Sequence, residues 1–160
     1  MSTTYQYLMS EEMEQQVVMQ WARAMQNRWP ELGLLHHCPN GGSRNKREAA
    51  RLKRMGVLAG VPDLHLPIAR AGYIGLYIEM KYAAGRLQDS QKIFLTSAAA
   101  EMNYCVVCYT ADDAIEVLRH YLDGETIYPD LAVIARGEVT GEVKTDKYPE
   151  KDSGHINEGI

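Results

Sequence analysis

The sequence has no apolar run of about eighteen residues, so nothing in it reads as a membrane span. Its opening, "MSTTYQYLMSEE", lacks the basic and apolar regions of a secretory leader. Cysteine is scarce: three residues, an odd number, argue against a disulfide framework and for reduced thiols in a cytoplasm. Internal repeats and low-complexity segments are also missing, which excludes solenoids and arrays. An excess of positive charge is absent too. The formal net charge of −4 makes no electrostatic case for nucleic acid by itself. What remains, at 160 residues with 46% apolar and 24% charged side chains, is an ordinary globular domain long enough to bury a core.

The charge is unevenly placed. Residues 123–160 carry nine acidic against four basic side chains, so the first 122 residues are nearly neutral. Within them "RNKREAARLKR" (44–54) holds six bases and one acid, a local surface suited to a phosphate backbone.

Periodicity gives the element order. "SEEMEQQVVMQWARAMQNRWP" (10–30) places Met13, Val17, Val18, Trp21, Ala22, Met25 and Trp29 at helical spacing, with Ser10 as a cap and Pro30 as a stop. "LGLLHHC" predicts a short strand and "PNGGS" a turn. A second helix follows from Asn45 to about Met55, Asn45 and Glu48 resembling a capping box. Two strands joined through "ARAGY", a helix over 87–103, the strand "YCVVCYT" and the helix "ADDAIEVLRHYL" complete an α/β domain with a mixed sheet.

The two strands in "GVPDLHLPIARAGYIGLYIEMK" (60–81) contain charges where a sheet core is expected. Alternation puts Ile74, Leu76, Ile78 and Met80 on one face, with Gly75, Tyr77, Glu79 and Lys81 on the other. In the first strand, Leu64 and Leu66 oppose Asp63 and His65. A hairpin centred near Ala71 gathers the apolar residues and sets Asp63 opposite Glu79. Facing carboxylates repel, and a divalent cation between them removes the conflict; oxygen-only ligands suit Mg²⁺. Lys81 beside it can stabilise charge growing on phosphorus. The plainer reading is a surface Glu79–Lys81 ion pair with Asp63 capping a strand. Two further polar residues border buried stripes: Glu14 on the first helix, and Gln91 beside Leu95, Ala98 and Met102 on the third.

Other patterns carry less. Cys105 and Cys108 point to opposite faces of a strand and read as core residues. His36-His37-Cys38 has no partner pair at zinc spacing. Pro129-Asp130 with Glu142 and Lys144 repeats the acid–acid–lysine pattern, but with few apolar neighbours and no glutamine-bearing helix after it.

Glu14-Gln15 in a first helix, "CPNGGSR" (38–44), "AARLKRMGVLAGVPDL" (49–64), "YIEMK" (77–81), "GRLQDSQ" (85–91) and a closing "YCVVCYT" strand together resemble the VRR-NUC domain, a branch of the PD-(D/E)xK nuclease superfamily. The resemblance spans roughly residues 11–122. It implies a restriction-endonuclease-like core over residues 1–122 and leaves 123–160 as an acidic extension, a hairpin or partly disordered. It also implies a DNA endonuclease dependent on Mg²⁺ or Mn²⁺. Asp63, Glu79 and the backbone carbonyl of Met80 would be metal ligands, Glu14 a helix-borne acid near the metal, Lys81 the catalytic lysine and Gln91 a supporting residue. Stand-alone members of this size resemble homodimeric resolvases of branched DNA such as four-way (Holliday) junctions. DNA contacts are expected from Gly41, Gly42, Arg44, Lys46, Arg47, Arg51, Lys53 and Arg54. Neither a nucleotide cofactor nor a membrane is expected, and the expected setting is the cytoplasm of a bacterial or phage-infected cell. The competing function is a nucleic-acid-binding or recombination-accessory protein with a nuclease-like fold and no turnover.

Overall fold

The computed structural model describes residues 10–39 and 45–125, and the backbone of strands at 132–135 and 138–140. Helix α1 (Glu11–Ala24) starts where Ser10 accepts the Met13 N–H at 3.2 Å. It stops well short of Pro30, which corrects the sequence reading. A residue before proline avoids the helical region, and Trp29 uses that freedom. Its indole tilts against Trp21 with centroids 6.0 Å apart and donates to Asp123 at 3.0 Å. Pro30 then opens a 3-10 turn (Pro30–Leu34) where a strand was expected, leaving only His36–His37 as β1.

Helix α2 (Lys46–Arg54) begins with Asn45 Oδ1 accepting the Glu48 N–H at 2.8 Å, and none of its residues is buried. Strands β2 (Leu64–Leu66) and β3 (Gly75–Met80) form the anticipated hairpin. Arg70 and Tyr73 exchange both backbone hydrogen bonds around Ala71 and Gly72, whose φ values of +50° and +86° are those of a two-residue primed turn. The register pairs Leu64 with Ile78, His65 with Tyr77 and Leu66 with Leu76. Continued by one residue, it sets Asp63 level with Glu79.

Magnitudes explain why this register holds. Leu64, Leu66, Leu76, Ile78 and Met80 are fully buried, each worth about 1.5–3 kcal/mol. A one-residue slip would expose all five, whereas opposed like charges cost at most about 1 kcal/mol. Ile74, assigned to the same face by alternation, lies just before β3 and is exposed.

Helix α3 (Asp89–Ala100) leads to β4 (Asn103–Cys108), which runs parallel to β3, and α4 (Ala111–Leu122) follows. Strands β5 (Ala132–Ala135) and β6 (Glu138–Thr140) extend the sheet beyond β4, giving a six-stranded order β1-β2-β3-β4-β5-β6 with one parallel pair. Helices α1 and α4 pack with Leu64, Leu76, Ile78 and Val106 on one face; α3 packs with Cys105 and Val107 on the other. Cys105 and Cys108 are therefore core residues of opposite faces, and burial pushes the Cys105 thiol up to about 12. Among the described residues no helix is long and apolar enough to cross a membrane. Gly41, Gly42, Arg44, Pro129, Asp130, Glu142 and Lys144 lie outside the described residues.

Candidate active site

The polar face of the hairpin lies on the α3 side of the sheet. Strand β2 begins at Leu64, and just before it the side chain of Asp63 takes the place of a backbone partner: its Oδ2 accepts the Met80 N–H at 2.8 Å. One pair further along the face, the His65 and Tyr77 rings stack at 4.2 Å, flanked edge-on by His36 and Phe94.

Glu79 is only 2% exposed. Its Oε1 accepts from Lys81 Nζ at 2.8 Å and from Gln91 Nε2. Its Oε2 is buried with no hydrogen-bond partner among the described residues. A buried acceptor left unmade costs about 1–3 kcal/mol, and more when charged, a cost that no group among the described residues offsets at this oxygen.

Charge tells the same story. Burial, then the Asp63 carboxylate, push Glu79 up to about 7, against the pull of Lys81. Asp63 is raised as well, chiefly by burial, with the Met80 N–H and Lys81 pulling back and Glu11 pushing. Burial works to lower Lys81, but its bond to Glu79 and the charges of Glu79, Glu11 and Asp63 outweigh it and hold the ammonium above its ordinary value. Among the described residues, Glu79, Glu11 and Asp63 thus act on the Lys81 ammonium, and His37 is a further group whose charge favours ionised Asp63. Among the described residues no three His, Cys, Asp or Glu side chains form a ready-made metal cage. Two carboxylates, one with a buried oxygen unpartnered among the described residues, instead fit a hard cation that keeps part of its water shell, as Mg²⁺ does.

Gln91 joins the cluster through the start of α3. Its Oε1 accepts the Gln88 N–H at 2.9 Å in a reciprocal cap, and its Nε2 holds Glu79. The loop carrying Asp63 is pressed onto the same turn. At Gly60, φ is +88° and an added Cβ would stand 2.2 Å from the Ser90 carbonyl oxygen. Gly60→Ala should therefore cost about 2–4 kcal/mol and slow any cleavage at least about tenfold by moving Asp63 away from Glu79. Thermal melts and initial rates measured together check this; a variant equal to wild type in both would show that the contact is not needed.

Glu14, expected as the helix-borne acid near the metal, is buried and uses one oxygen to join two helices. Its Oε2 accepts the Ala111 N–H at 2.6 Å, tying α1 to the start of α4, where the helix dipole favours an anion. A second acid of α1, Glu11, also acts by its charge on Asp63, Glu79 and Lys81. Its Oε1 and the Lys81 Cδ both lie 3.5 Å from where a Cβ on Gly85 would stand. Sequence reasoning passed over Glu11, although its three-residue spacing from Glu14 puts both on one helix face. Lys46, Arg47, Arg51, Lys53 and Arg54 are exposed on α2, with Arg51 paired to Glu48 at 3.0 Å.

Comparison with known proteins gives three findings. The VRR-NUC domain pattern matches residues 9–113. A solved structure described as a "VRR_NUC domain protein" superposes with a TM-score of 0.64 at 35% identity, covering 73% of this chain and 91% of that one. No curated protein matches. The family pattern spans the segment that carries Asp63, Glu79 and Lys81, and with the match to the solved fold it shows that the chain belongs to the VRR-NUC domain family of nucleases.

Proposed function

We propose that this chain is an endodeoxyribonuclease that hydrolyses phosphodiester bonds with Mg²⁺ or Mn²⁺, acts on branched DNA such as four-way junctions, and works as a homodimer. The observation that carries the cation-dependent reading is Glu79 Oε2, a buried carboxylate oxygen without a partner among the described residues and beside a second carboxylate. Asp63 and Glu79 would hold the cation. The Met80 carbonyl would join them, because the N–H and C=O of one strand residue point the same way and the Met80 N–H meets Asp63. When bound, the cation would offset the two carboxylates and draw charge from the phosphoryl oxygens.

The remaining work falls to side chains of this chain. Lys81 keeps its proton and donates it as a hydrogen bond to negative charge growing on the phosphate. Gln91 fixes the Glu79 carboxylate, and the Met80 N–H fixes that of Asp63. Glu11 acts on the cluster by its charge from α1, and Glu14 holds α1 against α4. The preference for branched DNA and the homodimer rest on resemblance to stand-alone members of the family; two sites related by a two-fold axis suit paired nicks on a two-fold substrate. The Lys, Arg and Gly residues of 41–54 would track phosphates. A binding-only domain of the same fold is the weaker reading, since it gains nothing from a buried carboxylate cluster.

Labelled four-way junction, duplex and single strand, each incubated with Mg²⁺, Mn²⁺ or EDTA, test the proposal. Cutting of the junction with either cation and none in EDTA is expected. Wild-type protein that leaves every substrate intact under all three conditions would overturn it.

A further inference from the structure

Helix α2 is distinctive in the fold: it is well formed, yet none of its residues is buried. Five bases project from it, and its single acid, Glu48, is neutralised by Arg51. Immediately after it stand three exposed apolar side chains, Met55 at 67%, Val57 at 41% and Leu58 at 59% exposure. This tip is not loose chain. The Gly56 N–H bonds the Lys53 carbonyl and the Val57 N–H bonds the Leu52 carbonyl, closing the helix in a tight reciprocal cap. Two residues beyond the tip, Gly60 is locked against Ser90 and Gln91, and three residues later comes Asp63. The tip is thus tied to the candidate active site by a short, pinned connection.

We propose that Met55, Val57 and Leu58 form a wedge that enters a base step of the DNA while Lys46, Arg47, Lys53 and Arg54 hold the flanking phosphates. Apolar side chains among cations match DNA that can be unstacked: phosphates take the charge, and an opened base step takes the apolar surface. A second copy of this chain fits less well, because a two-fold contact through this patch would bring two basic helices together. Unstacking costs least where a duplex is already interrupted, so the wedge selects nicks and branch points over continuous duplex. The inference rests on the nuclease reading for its ligand, but its test does not need cleavage.

A duplex with a nick or branch carries a fluorescent adenine analogue whose emission rises on unstacking, and binding is followed in EDTA or Ca²⁺. Wild-type protein should raise the emission. The combined variant Met55→Ser, Val57→Ser, Leu58→Ser changes only exposed positions; it should leave emission flat while weakening binding by no more than about tenfold, because the phosphate contacts and the salt dependence remain. With Mg²⁺, the variant should cut pre-opened DNA at nearly the wild-type rate and nicked duplex at least about tenfold more slowly, losing the preference for nicked over continuous duplex. An unchanged emission response in the variant would overturn the wedge. So would conversion of a wild-type dimer into monomers by the same substitutions, read by light scattering, since the patch would then be an interface between copies. Wild-type protein that unstacks DNA but cuts none would leave the wedge standing and remove the nuclease activity instead.

Discussion

Lys81→Ala should abolish cation-dependent cleavage, lowering the single-turnover rate by about a thousandfold or more, while junction binding stays within about threefold because the phosphate contacts on α2 are untouched. Lys81 is buried and its ammonium lies 2.8 Å from Glu79. Its removal deletes the ammonium bonded to Glu79 and, among the described residues, leaves that carboxylate the Gln91 amide. Breaking a buried pair by deleting one partner costs about 3–5 kcal/mol, so the variant in EDTA should melt well below wild type. Mg²⁺ should then raise its melting temperature more than that of wild type, because the cation replaces the missing positive charge. Cleavage at the wild-type rate by a folded variant would remove Lys81 from the mechanism. An equal response of both proteins to Mg²⁺ would mean that Glu79 does not face a cation site.

The second large effect is one of sign. The folded chain raises the Glu79 carboxyl from 4.5 to about 7, first through burial and then through Asp63. Below pH 4.5 the group is protonated whether folded or unfolded. Between 4.5 and about 7 the folded chain holds a proton the unfolded chain has released, so stability falls as pH rises through that window. Above it the full penalty is present, about 3 kcal/mol at 1.36 kcal/mol for each pKa unit. In EDTA, then, this group makes the protein less stable at pH 8 than at pH 5.

Asp63→Asn removes one cause of the penalty while keeping an oxygen for the Met80 N–H. In EDTA at pH 8 it should melt a few degrees above wild type, at about 3 °C per kcal/mol for a chain of this size, and its pH dependence should flatten. Cleavage should fall about a hundredfold or more, because one of two cation-holding carboxylates is gone. Mg²⁺ should stabilise wild type and barely affect the variant. Melting curves from pH 5 to pH 8 with and without Mg²⁺ check all of this, and a variant less stable than wild type in EDTA would show that the two carboxylates do not strain each other.

These predictions draw on features of unequal legibility. The hairpin register assumed from a turn near Ala71 and from alternation is the one observed, because five fully buried apolar side chains outweigh two facing carboxylates. Helix starts at Ser10 and Asn45 were equally readable, since a cap is a bond between residues three apart. Asp63, Glu79 and Lys81 could be found by motif, and the opposite orientation of Cys105 and Cys108 by counting along a strand. Family membership followed from the same short segments. All of these depend on near neighbours or on a period of two.

Other features depended on partners far along the chain. Helix α1 ends at Ala24, and beyond it the Trp29 indole reaches Asp123, ninety-four residues away. Glu14 and Glu11 share a helix face, and only the position of α4 decides that Glu14 meets the Ala111 N–H while Glu11 acts on Lys81 by its charge. Gln91 was recognisable as a boundary residue, but not as the group that caps α3 and grips Glu79 together. The basic character of α2 was visible in its letters, whereas its lack of any buried residue was not. Periodicity and capping chemistry, both local, determined the elements, the register and the identity of the reactive side chains. Long-range packing decided which carboxylate oxygen is left without a partner among the described residues, which acids act on its group and which helix stands clear of the core, because each is a relation between elements that the chain brings together only by folding.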